Sequence, residues 1–183
     1  MTCIRKKGAK SNGGPSLLKE FSNLGGSLEM KNLGHGKDSM LECKDANLKE
    51  KQHIQRLLLE WDILRWAERT KCYDEMSLEG LQPHPNLKAL ELRYYMGVTI
   101  SSWLSSLTNL VDLRLYGNKR LQHLPPLNQL PFLKSVSLET MEALEYILED
   151  SVNNMLGGSS SSRTIFFPSL SSLIIEQCPN LKG

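Results

Sequence analysis

Cysteine is scarce: the 183 residues hold four, Cys3, Cys43, Cys72 and Cys178, with no C-x-x-C pair and no histidine at ligand spacing. That scatter argues against a zinc ribbon or a disulfide framework and points to a reducing cytosol. Long apolar runs are missing as well. Stretches such as Leu57 to Leu59 fall far short of the ~20 residues a membrane-spanning helix needs. The N-terminal basic cluster Arg5, Lys6, Lys7 and Lys10 is interrupted by Gly8 and Ala9 and followed by Ser11, Asn12, Gly13 and Gly14. A secretory signal would place an apolar run of about 7 to 15 residues there. Excess charge of one sign is absent too: the formal net charge is +2. Composition therefore gives no reason to expect nucleic acid or an anionic membrane as partner, and the basic cluster lacks the aromatic residues that would stack on bases.

Catalytic motifs are likewise wanting. The nearest approach to a phosphate loop, Gly34-His35-Gly36-Lys37-Asp38-Ser39, lacks the G-x-x-x-x-G-K-[ST] spacing. The histidines His35, His53, His84 and His123 are far apart, and no G-x-S-x-G elbow occurs. The expectation is a chain without enzymatic activity, cofactor or metal.

What the sequence has is an internal repeat. Leu110, Leu113, Leu115, Asn118 and Leu121 fit L-x-x-L-x-L-x-x-N-x-x-L at every fixed position, and Leu170, Leu173, Ile175, Cys178 and Leu181 fit it again with Cys in the Asn slot. Leu133, Val136, Leu138, Met141 and Leu144 repeat it with conservative changes, as do Leu87, Leu90, Leu92 and Tyr95. Ile54, Leu57 and Leu59 make a fifth unit, with Asp62 beside Trp61 at its next slot, and Leu28, Met30 and Leu33 a sixth. From the middle leucine of one unit to the next, residues 28, 57, 90, 113, 136 and 173, the steps are 29, 33, 23, 23 and 37 residues, so loops of unequal length are inserted between the strands. Each x-L-x-L-x is a short strand with period-two alternation: its leucines point inward and the residues between them outward. One unit cannot bury its leucines alone, so neighbours must stack. The fold class that follows is an α/β solenoid, a leucine-rich-repeat horseshoe segment with a parallel concave β-sheet and an irregular convex side.

Between strands the expectations are specific. Three prolines between Leu121 and Pro131 exclude a regular helix there. Trp103, Leu104 and Leu107 suggest a single helical turn with the indole in the core, and Asn47 to His53 a short convex helix. The organisation expected is a disordered leader over 1–16, an array of about five to six irregular repeats over 17–183, and a flexible Ser/Gly loop over 150–166. The Asn slot follows each strand where the chain turns, and a buried side chain there can satisfy neighbouring backbone groups. Cys178 is accordingly read as a core residue.

With chemistry excluded, the outward strand positions become the candidate site. The register gives Arg56, Leu58 and Glu60; Ala89, Glu91, Arg93 and Tyr94; Asp112, Arg114, Tyr116 and Gly117; Ser135, Ser137, Glu139 and Thr140; and Ser172, Ile174, Glu176 and Gln177. Arg93, Tyr94, Arg114 and Tyr116 form the best hot-spot candidate, since Arg and Tyr are enriched at binding hot spots. The other reading of that cluster is a solvated, charge-balanced sheet with Arg93 paired to Asp112.

Several segments together resemble a known family: Leu24-Gly25-Gly26-Ser27-Leu28-Glu29-Met30-Lys31-Asn32-Leu33, Ala46-Asn47-Leu48-Lys49-Glu50-Lys51, Leu78-Glu79-Gly80-Leu81-Gln82-Pro83-His84-Pro85-Asn86-Leu87, Phe167-Pro168-Ser169-Leu170 and Cys178-Pro179-Asn180-Leu181. From about Leu17 onward the chain is similar to the repeat region of plant intracellular disease-resistance proteins of the coiled-coil, nucleotide-binding, leucine-rich-repeat type. The resemblance implies innate immunity, with repeats that recognise a pathogen effector or a guarded host protein, or that hold the nucleotide-binding module off. No coiled coil or phosphate loop accompanies the repeats here, so the expectation is a truncated receptor fragment, and ATP or ADP binding does not carry over. The alternative is a decoy or regulatory interaction protein, or a remnant without function.

Overall fold

The strands of the last four repeats are five residues long, two inward apolar side chains alternating with three outward ones before the chain turns. The computed structural model describes residues 3–6, 9–12, 14–21, 23–34, 39–63, 71–147 and 169–182. Its eight-stranded sheet contains β1 (Cys3–Lys6), β2 (Ala9–Asn12), β3 (Gly25–Leu33), β4 (His53–Trp61), β5 (Ala89–Arg93), β6 (Asp112–Tyr116), β7 (Ser135–Glu139) and β8 (Ser172–Glu176), in the order β2-β1-β3-β4-β5-β6-β7-β8. From β3 to β8 all pairings are parallel. The repeat register of the sequence is the register of the ladder: Leu28 lies beside Leu57, Leu57 beside Leu90, Leu90 beside Leu113, Leu113 beside Val136 and Val136 beside Leu173. The chain is a leucine-rich-repeat α/β solenoid.

Inward side chains stack into continuous rows. Leu28, Leu57, Leu90, Leu113 and Val136 form one row and Met30, Leu59, Leu92, Leu115 and Leu138 the next, all buried in one core with Leu87, Leu110 and Leu133 from the approach to each strand. At β8 the row thins: Leu173 is 48% exposed and Ile175 41%. The first two repeats fit less regularly, with bulges in the β3–β4 pairing at Gly26/Ser27 and Met30/Leu33. Past the second bulge Trp61 lies beside Leu33 and is buried, so the indole fills the slot that sequence spacing left to Asp62.

Residues 1–16, expected to be a disordered leader, instead contain β1 and β2, and a 3-10 turn begins at Pro15. Backbone pairing explains the difference. β1 runs antiparallel along β3, Ile4 opposite Met30, and β2 folds back on β1, so the edge of β3 is hydrogen-bonded. The helix expected over Asn47 to His53 lies earlier, as α1 (Ser39–Asp45), with a three-residue 3-10 turn Leu48–Glu50 after it. Asn47 adopts φ 48°, which breaks the helix, and His53 already belongs to β4. The Ser/Gly loop of 150–166 lies outside the described residues.

The side opposite the open sheet face changes character along the chain. α1 and α2 (Lys71–Gly80) cover the first repeats and pack on each other, Gly80 fitting against Cys43 so closely that a Cβ there would come within 2.9 Å of the Cys43 Cβ. Farther on, 3-10 turns replace helices, at Ser102–Ser106 and Leu127–Gln129. Prolines impose extended backbone before the second turn, as expected, and bridges from Thr99 to His123 and from His123 to Tyr146 form a minor parallel ladder. Trp103 is buried as expected, its indole N–H donating to the Leu78 carbonyl at 3.1 Å.

Candidate protein-binding face

Alternation leaves three outward rows across the parallel strands. The first runs Ser27, Arg56, Ala89, Asp112, Ser135, Ser172; the second Glu29, Leu58, Glu91, Arg114, Ser137, Ile174. The third runs Glu60, Arg93, Tyr116, Glu139, Glu176. Glu91, Arg93, Asp112, Arg114, Tyr116, Ser137, Glu139, Ile174 and Glu176 are thus brought to one face. Tyr94 stands at its border. It and its equivalents Gly117, Thr140 and Gln177 lie one residue beyond the strand ends, with φ of 56°, 67°, 58° and 52°. They were expected to be outward strand positions. The left-handed conformation instead turns the chain while the ladder adds one last bond, such as Tyr94 N–H to the Tyr116 carbonyl at 2.9 Å.

That turn delivers the Asn slot to the core. Asn118 is fully buried; its Oδ1 accepts the Tyr95 N–H at 2.9 Å and its Nδ2 donates to the Leu92 carbonyl at 3.3 Å. One amide thereby satisfies two backbone groups of the preceding repeat. Cys178, in the same slot, is only half-buried; its Sγ donates to the Leu138 carbonyl at 3.6 Å. Burial pushes its thiol pKa up, which opposes thiolate chemistry.

Electrostatics divide the face. On its N-terminal half the charges compensate one another: Lys31 reaches Glu29 at 3.8 Å and Glu60 at 3.7 Å, Glu60 reaches Arg93 at 3.6 Å, and the Arg93 guanidinium holds Glu91 at 2.5 Å. Arg93 does not pair with Asp112. Asp112 is held by Arg114 of its own strand, at 3.1 Å to Nη2 and 3.2 Å to Nε. Burial alone pulls the Arg93 pKa down, but the hydrogen bond and charge of Glu91, with Glu60, more than reverse it; the Asp112 hydrogen bond raises Arg114. In the middle of this half, the small side chain of Ala89 leaves a depression of about 150 Å³ among Ser27, Arg56, Leu58, Glu91 and Asp112.

The two tyrosines do come together. Tyr94 and Tyr116 meet edge to face, centroids 5.4 Å apart and planes at 78°. Gly117 makes room: a Cβ there would lie 2.7 Å from the Tyr94 ring. Tyr116 is 39% exposed, and Ile174 43%. Sequence reasoning missed Glu29 and Lys31, although the same alternation extended one unit upstream places them on the face. It also missed the anchors under it. In α2, Asp74 accepts the Met96 N–H at 3.0 Å and Glu75 the Val98 N–H at 2.9 Å, fixing the turn after Tyr94. Those carboxylates have no sequence signal beyond helix polarity.

No helix of the described residues is long and apolar enough to cross a membrane. Among the described residues no group of three or more His, Cys, Asp or Glu could hold a metal ion.

Residues 16–141 match the family model described as R13L1/DRL21 LRRs. The disease resistance proteins RGA1 and RGA4 of Solanum bulbocastanum are 37% and 34% identical to the chain, each over 88% of it. The protein At3g14460 of Arabidopsis thaliana, named as a disease resistance protein, is 30% identical over 96%. The chain spans about 15% of RGA1, 16% of RGA4 and 14% of At3g14460. No solved structure matches. With its repeats in the register of the ladder and its match over most of their length, the chain belongs to the R13L1/DRL21 leucine-rich-repeat family of plant disease-resistance proteins.

Proposed function

We propose that the chain is a protein-recognition region of a plant immune receptor, working in the cytosol, that senses a pathogen effector or a guarded host protein or restrains the nucleotide-binding module. It carries out no catalysis and takes no cofactor, nucleic acid or membrane. The observation that carries this reading is the open sheet face itself: an ordered parallel ladder whose inward rows are buried from β3 to β7 and whose outward rows offer Tyr116, set edge to face against Tyr94, with Arg93 level with it on β5 and Arg114 on its own strand. Rigid aromatic and guanidinium groups on a stiff frame suit protein recognition, because little conformational freedom is lost on binding. Names of the relatives, all disease resistance proteins, supply the defence context.

The test is isothermal titration of the chain with a recombinant nucleotide-binding module of this receptor class and, separately, with a panel of effectors. Tyr116→Ala is expected to weaken the complex that forms by ~1–2 kcal/mol, as at a binding hot spot. Ser106→Ala, in a turn on the opposite side, leaves affinity unchanged. A complex indifferent to Tyr116→Ala, Arg93→Ala and Arg114→Ala together contradicts the assignment of this face.

A further inference from the structure

The two halves of the open face differ in what a partner must supply. Toward β3 each carboxylate has a cation: Lys31 serves Glu29 and Glu60, Arg93 serves Glu60 and Glu91, and Arg114 serves Asp112. Toward β8 this ends. Glu139 and Glu176 are direct neighbours on adjacent strands, about 4.8 Å apart across the ladder. Glu139 accepts a hydrogen bond from the Ser137 hydroxyl at 2.7 Å, which leaves its charge in place. Neither carboxylate has an ion pair among the described residues, and the guanidinium on β6, that of Arg114, is already bound to Asp112. Like charges on neighbouring strands disfavour each other, so a cation placed between them would be attracted by both.

Apolar surface frames the pair. Tyr116 precedes Glu139 in the same row, half-exposed, and Ile174 stands on β8 in the adjacent row, also exposed. A ring face, an aliphatic side chain and two carboxylates without an ion pair among the described residues, all within three strands, complement a side chain that is cationic at its tip and apolar along its stem. Lysine and arginine have that form, and an aromatic face adds cation–π attraction. Resting on the reading of the open face as a recognition surface, we propose that the patch formed by Tyr116, Glu139, Ile174 and Glu176 docks a basic, apolar-flanked segment of a protein partner. A Lys or Arg of that segment lies between the two carboxylates, and its apolar neighbours rest on Tyr116 and Ile174. Where the carboxylates are already paired, from β3 to β6, a partner's cation gains less, so charge selectivity belongs to β7 and β8.

The experiment is a backbone-amide NMR titration of the full 183-residue chain with an amidated hexapeptide of alternating lysine and phenylalanine, and with its counterpart in which glutamate replaces lysine. The basic peptide is expected to shift the amides of Tyr116, Glu139, Ile174 and Glu176 most, and the acidic one to leave them unmoved. Glu139→Gln with Glu176→Gln, which removes no ion pair among the described residues and whose fold is checked by circular dichroism, is expected to weaken the basic peptide about tenfold. Glu142→Gln, which loses only the pair with Lys119, leaves its affinity unchanged. Equal response to both peptides, no response at these residues, or unchanged affinity in the double variant overturns the proposal. Shifts centred on Arg56 and Glu91 overturn it while leaving the open face as the recognition surface; that wider reading fails only on the Tyr116 titration described above.

Discussion

Asn118 shows how a single side chain joins two repeats. Its amide accepts from Tyr95 and donates to Leu92, both in the preceding unit and both away from water. Asn118→Ala orphans a buried N–H and a buried carbonyl, and is expected to cost ~1–3 kcal/mol, read as a lower urea midpoint with an unchanged slope. Cys43 is a different kind of core residue. Burial, helped by the charge of Glu42, pushes its thiol from 9.0 up to about 12. A folded pKa above the unfolded one means the contribution to stability is fully present below 9.0 and lost as pH rises toward about 12. The expected outcome is a Cys43 thiol inert to Ellman's reagent at pH 8 until urea unfolds the chain, and a urea midpoint that falls as pH is raised from 9 toward 12. Asn118 was legible because the repeat reserves a slot for it. The left-handed turn at Tyr94 was not: the neighbouring repeats hold Gly117 and Thr140 there, residues of unlike type, and only the shared geometry of the strand end unites them.

At the scale of elements, the strands were legible down to their register, since period-two alternation and the leucine spacing describe the same pleat that pairs Leu90 with Leu113. The helices were not. α1 and α2 sit in the long steps between early repeats, where polar sequence gives weak periodicity and packing against the core decides the outcome; Ala46 and Leu48 are buried, yet Leu41 of α1 points to solvent. Position along the stack also sets how much each strand matters. Leu92→Ala, in the buried row at β5, is expected to cost ~2–5 kcal/mol, whereas Leu173→Ala, half-exposed on β8, costs less than about 1 kcal/mol. Urea unfolding of both variants checks the contrast, and equal losses would show that the core does not thin toward β8.

Across the whole molecule, repeat architecture separates stability from recognition. Inward rows carry the fold, so outward rows are free to vary in charge and shape, and no short motif encodes what they bind. This is why the candidate face could be read from the alternation while its pairing could not. Arg93 and Asp112 are close enough in register to suggest a pair, but Glu91 and Arg114 occupy the row between and take those partners instead. Ion pairs on so exposed a sheet contribute little to stability, about 0–1 kcal/mol each. Their effect is on the potential a partner meets.

From β3 to β8 the molecule is one continuous parallel ladder, buried on one face and open on the other. Amide hydrogen exchange of the chain in native buffer tests it most directly. Strong protection is expected to run without a break through β4, β5, β6 and β7, with weaker protection in β8 and common loss of that protection in urea. Protection confined to α1 and α2, with fast exchange at Leu92, Leu115 and Leu138, would contradict it.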